Sequence, residues 1–296
     1  MDGLVRKLMA AIRYDVELRH SLFSVLLSVT LTHVLMDGLV RKLMAAIRYN
    51  VELRHSLFSV LLSVTLTHVT YVFIPTERQL LPLIISVPLS ATLSVLACGW
   101  RARWNVAQAS LLGSIFSLSL LCCFTTRNVY LAQFARYLMC IAAFHYGEFL
   151  ATALTNRADL DLSSYLLDHS LAYWAAAALS WVEYVLEVWY LPVLKNPYVS
   201  YAGLVPVICG DCLRKLAMAH AKGGFTHQVA VQKRSEHRLI TDGVYGLVRH
   251  PGYLGWLIWS LGTQVTIAST THYYYYCCCY YYYYYYYYYR YYYRYY

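Results

Sequence analysis

The chain has 296 residues, of which 59% are hydrophobic and 13% charged, with a formal net charge of +9. Soluble domains carry about 25% charged residues, so this composition excludes an ordinary soluble globular protein and points to an integral membrane protein. The basic residues lie in short clusters between apolar runs, as membrane-flanking loops do, which argues against a nucleic-acid partner.

Residues 1–34 and 36–69 are the same sequence, offset by 35 positions, and differ only at Asp15 and Asn50. Near-identity of this kind marks a very recent duplication or an error in gene assembly, because working repeats diverge except at packing positions. The first apolar run, 21–35, would span about 22 Å as a helix against a hydrocarbon core of roughly 30 Å. The second copy continues through Tyr71, Val72, Phe73 and Ile74, so 56–74 is long enough to cross. If both copies crossed, their basic clusters would fall on opposite sides. The expectation is that 1–35 is a duplicate of 36–70 rather than native structure. No cleavable signal peptide is evident, since no small-residue cleavage site follows the first apolar stretch.

From there the expected spans are 56–74, 79–98, 106–124, 129–150, 170–191, 198–213 and 251–268. This predicts an all-α, polytopic membrane helical bundle with a short cytosolic loop region. The second N-terminal basic cluster, the Arg101/Arg103 loop and the Lys/Arg-rich segment 214–249 are separated by two and then four spans. They therefore share one side, which the positive-inside rule makes cytosolic. Residues 155–169 read as a polar loop with Asp159 and Asp161 facing water, and 225–231 as a short strand or hairpin after the Gly223-Gly224 turn. Cys98, Cys122, Cys123 and Cys140 lie in apolar runs, where a reduced cysteine acts as a small hydrophobe. The single Cys209-Gly-Asp-Cys212 is too little for a zinc site and reads as helix packing, so no metal is expected.

Five ionisable residues fall inside spans: Arg136, His145 and Glu148 on one helix, Glu183 and Glu187 on another. Such groups face a bundle interior or a water-filled cavity. Two readings stay open: interhelical hydrogen bonding, or the lining of a site reached from the bilayer.

The densest polar, aromatic and turn-forming stretch is 237–256, with His237, a Gly243-Val-Tyr245 turn and the corner Arg249-His250-Pro251-Gly252-Tyr253. Proline presets its own φ and biases His250 away from helix, so the corner projects His250 and Tyr253 just before a helix that starts near Pro251. Gly243 can take a positive φ and turn Tyr245 back towards the same place. Two imidazoles, two phenols and a helix N-terminus suit a nucleotide-like cofactor carrying a carboxylate. The same residues equally describe an interfacial loop with aromatic-belt tyrosines.

Arg-His-Pro-x-Tyr-x-Gly after a Gly-Val-Tyr turn resembles the signature of membrane isoprenylcysteine carboxyl methyltransferases. Phe144-His145-Tyr146-Gly147-Glu148-Phe149, Leu166-Leu167-Asp168-His169-Ser170-Leu171, Gly210-Asp211-Cys212-Leu213-Arg214-Lys215 and Trp259-Ser260-Leu261-Gly262-Thr263-Gln264-Val265 also look like the eukaryotic enzymes. The resemblance runs from about residue 129 to 265. It implies transfer of a methyl group from S-adenosylmethionine to the carboxylate of a prenylated C-terminal cysteine on CaaX-processed proteins, in the endoplasmic reticulum membrane. It places cofactor contacts at His237, Arg238, Leu239, Ile240, Tyr245, His250, Pro251, Gly252 and Tyr253. Ala230 stands where the family tends to have a cofactor-contacting glutamine, with Gln228 and Gln232 nearby.

The family continues past Val265 into helices bearing an arginine that holds the substrate carboxylate and a glutamate that touches the cofactor. Here 272–296 holds 19 tyrosines among 25 residues and no carboxylate. The resemblance therefore implies a methyltransferase domain over 36–268 that lacks its C-terminal part, a Tyr/Cys tail over 269–296, and impaired turnover. Alternatives are a phospholipid N-methyltransferase, a sterol reductase, or a non-catalytic binder of prenylated tails.

Overall fold

Seven long helices carry the described part of the chain. They are α1 (Val51–Phe73), α2 (Leu81–Cys98), α3 (Arg103–Thr125), α4 (Val129–Thr155), α5 (Leu171–Tyr190), α6 (Pro197–Ala221) and α7 (Pro251–Thr266). The computed structural model describes residues 40–41, 44–74, 81–167, 171–227 and 239–268, and among these there is no strand. Residues 225–227 are irregular, while the rest of the expected 225–231 strand or hairpin, the first repeat copy 1–35 and the tail 269–296 lie outside the described residues. The chain divides at Asn50 into two units; in the first, residues 44–49 are helical.

Helix starts follow local capping chemistry. The Asn128 side chain accepts from the Tyr130 and Leu131 amides at the start of α4, and Asn196 accepts from Tyr198 at the start of α6, where Pro197 takes the first helical position. Each expected span coincides with one helix, but α6 runs eight residues beyond the expected end at 213. Arg214 and Lys215, assigned from sequence to a cytosolic segment, are instead helical and pack inside, because Glu148 and Asp211 neutralise them.

Buried and exposed faces are reversed relative to a soluble bundle. The inward face of α1 is Leu53, Ser56, Ser59, Ser63 and Thr67, and that of α2 includes Ser86, Ser90 and Ser94. Large apolar side chains point outwards: Phe73, Leu96 and Phe124 are all more than three-quarters exposed. Small residues let helix backbones approach closely where lipid tails supply no hydrophobic drive for association. Thr67 donates to Ser86 Oγ at 2.9 Å and Ser86 to Ser114 Oγ at 3.4 Å, so hydroxyls tie α1, α2 and α3 together. Four stretches, Val51–Phe73, Leu81–Cys98, Trp100–Thr125 and Val129–Thr155, are long and apolar enough to cross a bilayer. The fold is an all-α, polytopic membrane helical bundle.

Asn105 Nδ2 donates to Glu52 O at 2.9 Å, joining the starts of α1 and α3. Asn156 Nδ2 donates to Phe225 O at 3.1 Å, joining the ends of α4 and α6. Tyr165 OH donates to Asn105 Oδ1 and links the two groups. Arg54, Arg101, Arg103 and the described residues 222–227 and 239–250 thus gather at one end of the bundle, as the spacing of the basic clusters predicts.

The 155–169 loop differs from its expected polar character. Asp159 and Asp161 are exposed, but Asp161 caps a short 3-10 turn at Leu162–Tyr165 that drives Tyr165 into the core. Tyr165 is 0% exposed, stacks on Phe149 at 4.1 Å and shares its hydroxyl with Ser56 and Asn105. Removing that hydroxyl strands two buried partners, so Tyr165→Phe should cost about 1–3 kcal/mol while leaving the ring stack intact. A melting temperature equal to wild type in thermal unfolding of the detergent-solubilised protein would refute this.

Candidate functional site

At Gly243 the backbone φ is +59°, and a Cβ there would lie 2.3 Å from the His220 ring, so only glycine fits this turn. The 3-10 turn Gly243–Gly246 then carries Tyr245, half-buried and facing the Arg214 charge, with its phenol pKa raised by burial. The chain returns through His250, whose backbone (φ −130°, ψ 63°) is non-helical, as expected of a residue before proline. Pro251 opens α7, and the His250 side chain does not cap its N-terminus.

The His250 and Tyr253 rings lie 6.1 Å apart on this corner. Burial lowers the His250 pKa, and the neighbouring Arg249 charge lowers it further, so the imidazole is neutral at pH 7. Pro251 and Gly252 are buried, the latter so tightly that a Cβ would stand 2.9 Å from the Phe225 ring. Ile240 packs beside Gly224. Leu239 is 92% exposed. His237 and Arg238, with Gln228, Ala230 and Gln232, lie outside the described residues.

Beneath the corner sits a charge network. Glu148 on α4, fully buried, accepts a two-pronged pair from Arg214: Nε to Oε1 at 2.9 Å and Nη2 to Oε2 at 2.8 Å. Lys215 Nζ binds Glu148 Oε1 and also Asp211 at 2.9 Å. Arg214 Nη1 donates to the Gly252 carbonyl at 3.2 Å. His227 lies 3.5 Å from Glu148, yet burial, aided by the Arg214 and Lys215 charges, pushes its pKa down to about 4. The imidazole is therefore neutral near pH 7 and this contact is not an ion pair. Thr152 Oγ1 donates to Glu148 O and lies 3.0 Å from His227 Nε2, which ties the imidazole to α4. The sequence offered Glu148 and Arg214 separately, but nothing in their spacing showed that they meet.

The other intramembrane charges favour interhelical bonding. Arg136 donates to Ser200 Oγ at 3.1 Å and sits over the Tyr201 ring. His145 Nδ1 donates to Tyr165 O at 2.9 Å, leaving Nε2 to accept from Tyr173 OH at 3.2 Å. Glu187 pairs with Lys195, whose amine also holds the Ile267 and Ala268 carbonyls at the end of α7. Tyr173, Tyr137, Trp256, Trp259 and Gln264 line a cavity between α4, α5 and α7. Cys209 and Cys212 are exposed on α6; between them it is Gly210 that packs, so the packing expected of the cysteine pair belongs to the glycine.

A family model described as isoprenylcysteine carboxyl methyltransferase (ICMT) family matches residues 201–293. The protein-S-isoprenylcysteine O-methyltransferase of Rattus norvegicus is 43% identical over 169 residues, covering 56% of this chain and 59% of the rat protein. A probable protein-S-isoprenylcysteine O-methyltransferase of Oryza sativa subsp. japonica is 41% identical over 140 residues, 47% of this chain and 72% of the rice protein. The solved structure of the eukaryotic intramembrane Ras methyltransferase ICMT is similar with a TM-score of 0.68 and 30% identity, covering 75% of this chain and 80% of that one. The chain thus spans about three fifths of the length of the rat relative. With a rice relative 41% identical over 72% of its own length and a solved structure 30% identical over 80% of its own, the chain belongs to the isoprenylcysteine carboxyl methyltransferase family.

Proposed function

We propose that the protein methylates the C-terminal carboxylate of prenylated cysteine on CaaX-processed proteins, using S-adenosylmethionine, in the endoplasmic reticulum membrane. The observation that carries this reading is the 250–253 corner, with neutral His250 beside Tyr253 at the start of α7, in a chain of this family. The residues fit such a group. α4 and α6 begin with asparagine caps, whereas His250 does not cap the first amides of α7, which suits the amino-acid carboxylate of the cofactor. His237, Arg238, Leu239, Ile240 and Tyr245 complete the proposed contacts.

S-adenosylmethionine, when bound, supplies an electrophilic methyl group on its sulfonium. The acceptor carboxylate is already ionised at neutral pH, so His250 and His227 need not act as bases. The work of the chain is to hold donor and acceptor in line and to exclude water. We infer further that this chain binds cofactor better than it turns over, because the Tyr-rich 272–296 stands where the family carries the arginine that holds the substrate carboxylate. Arg214 cannot replace a substrate-holding arginine, since Glu148 and Gly252 occupy its donors.

In membranes containing the full chain, S-adenosylmethionine should bind, and His250→Ala should weaken binding about tenfold, the loss of roughly one hydrogen bond. Methyl transfer to a farnesylcysteine analogue should be detectable but slow. Absence of cofactor binding by the wild-type protein would overturn the reading; rapid turnover would overturn only the impairment. Prenyl-peptide binding with no turnover, even after grafting a family-type C-terminus, would favour a non-catalytic binder instead.

A further inference from the structure

We infer that the Glu148–Arg214 pair positions the proposed cofactor corner by holding the Gly252 carbonyl, an inference that rests on reading 250–253 as cofactor contacts. Arg214 bears on both halves of the 237–256 stretch. Its charge faces Tyr245, and its Nη1 donates to Gly252 O at 3.2 Å. The guanidinium is itself immobilised. Glu148 takes Nε and Nη2 in a fork, and the plane lies over the Phe144 and Phe225 rings at 5.8 and 5.6 Å.

Gly252 is held from the other side as well. A Cβ on it would stand 2.9 Å from Phe225 and 3.8 Å from Ala217, so its backbone sits against α6 and the Phe225 segment with no slack. Phe225 in turn is anchored by Asn156 through its carbonyl. His250 and Tyr253 therefore project from a backbone whose position is set by Arg214 on one face and Phe225 on the other. Arginine suits this place because its planar fork takes both carboxylate oxygens while a separate nitrogen reaches the Gly252 carbonyl; a lysine ammonium concentrates its three donors at one atom and cannot make the two-pronged pair and span to Gly252 O as well. Glu148 and Arg214 act here as positioning residues, since neither is placed on the reacting atoms.

The test uses the full chain in lipid nanodiscs and the variant Arg214→Lys, which keeps a cation opposite Glu148. In ligand-free protein, amide hydrogen exchange over 247–256 should accelerate about tenfold, the loss of one charge-assisted hydrogen bond. Exchange in α1, α2 and α3 should not change. The KM for S-adenosylmethionine should rise by a similar factor while that for a farnesylcysteine analogue stays within about twofold. If Arg214→Lys accumulates poorly, the neutral pair Glu148→Gln with Arg214→Gln removes the fork without leaving an unpaired buried charge, and the same two readouts apply. Unchanged exchange over 247–256 would overturn the positioning role whatever the cofactor does. Accelerated exchange in a protein whose wild type binds no S-adenosylmethionine would overturn the cofactor assignment of the corner, and the proposed function with it.

Discussion

Replacing Gly210 by alanine should stop α6 and α7 from docking, with a loss of about 3 kcal/mol or more in thermal unfolding. A Cβ at Gly210 would lie 2.4 Å from Trp259 N and 2.6 Å from Gly255 O. Both are backbone atoms of the partner helix and cannot rotate away, unlike the tip of a flexible side chain. The contact repeats along the crossing. A Cβ at Gly255 would meet Arg214 N and Gly210 O at 2.7 Å, one at Gly262 would meet Val207 N at 2.6 Å, and one at Gly203 would meet Thr266 N at 2.5 Å. Gly203 and Gly210 are seven residues apart, as are Gly255 and Gly262, so two turns of each helix bring the next glycine onto the same face. The exposed neighbour is the control: Cys209→Ala should stay within about 0.5 kcal/mol of wild type. Equal melting of Gly210→Ala and Cys209→Ala would mean that the two helices do not cross at Gly210.

This crossing shows what a hydropathy reading leaves out. Apolar runs located every helix, and Asn128, Asn196, Pro197 and Pro251 marked starts that the structure keeps. Hydropathy gives the length of a span but not its facing, because in lipid the packed face carries glycine, serine and threonine rather than leucine. The spacing Ser56, Ser59, Ser63, Thr67 was visible in the sequence as a helical stripe, yet it identifies the buried face only once lipid is taken as the solvent. Tyr165 escaped for a different reason. A tyrosine among Asp159, Asp161, Ser163 and Ser164 looks solvated, and its burial depends on Ser56 and Asn105, which lie 109 and 60 residues away.

The candidate site divides in the same way. The Gly243 turn and the Pro251 helix start are local chemistry, and both are where the residues put them. The support beneath them is not local. Glu148 and Arg214 are 66 residues apart, and from the sequence alone Arg214 belonged with the cytosolic basic segment. An intramembrane carboxylate does, however, require a cation, and Arg214 and Lys215 begin a basic run at the end of a span. That requirement was the one signal that could have paired them.

The pairing predicts an asymmetric mutational response. Glu148 has two cations, Arg214 and Lys215, and its side chain is 0% exposed. Arg214 is 8% exposed and pairs with Glu148, whereas Lys215, 22% exposed, keeps Asp211 at 2.9 Å. Glu148→Met therefore strands Arg214, and the cost of an uncompensated buried charge is about 3–5 kcal/mol. Arg214→Met leaves Glu148 still bound to Lys215, so its loss should be smaller by at least about 1 kcal/mol, mainly the fork and the Gly252 bond. The double variant Glu148→Met with Arg214→Met removes both charges together. It should be more stable than Glu148→Met alone, because two buried ions cost more to desolvate than a similar volume of apolar side chain. Denaturation of all three proteins in one detergent closes the cycle. Equal losses for the two single variants, or a double variant no better than Glu148→Met, would show that Lys215 does not hold Glu148 once Arg214 is gone, and that the charge beneath the corner is balanced by some other group.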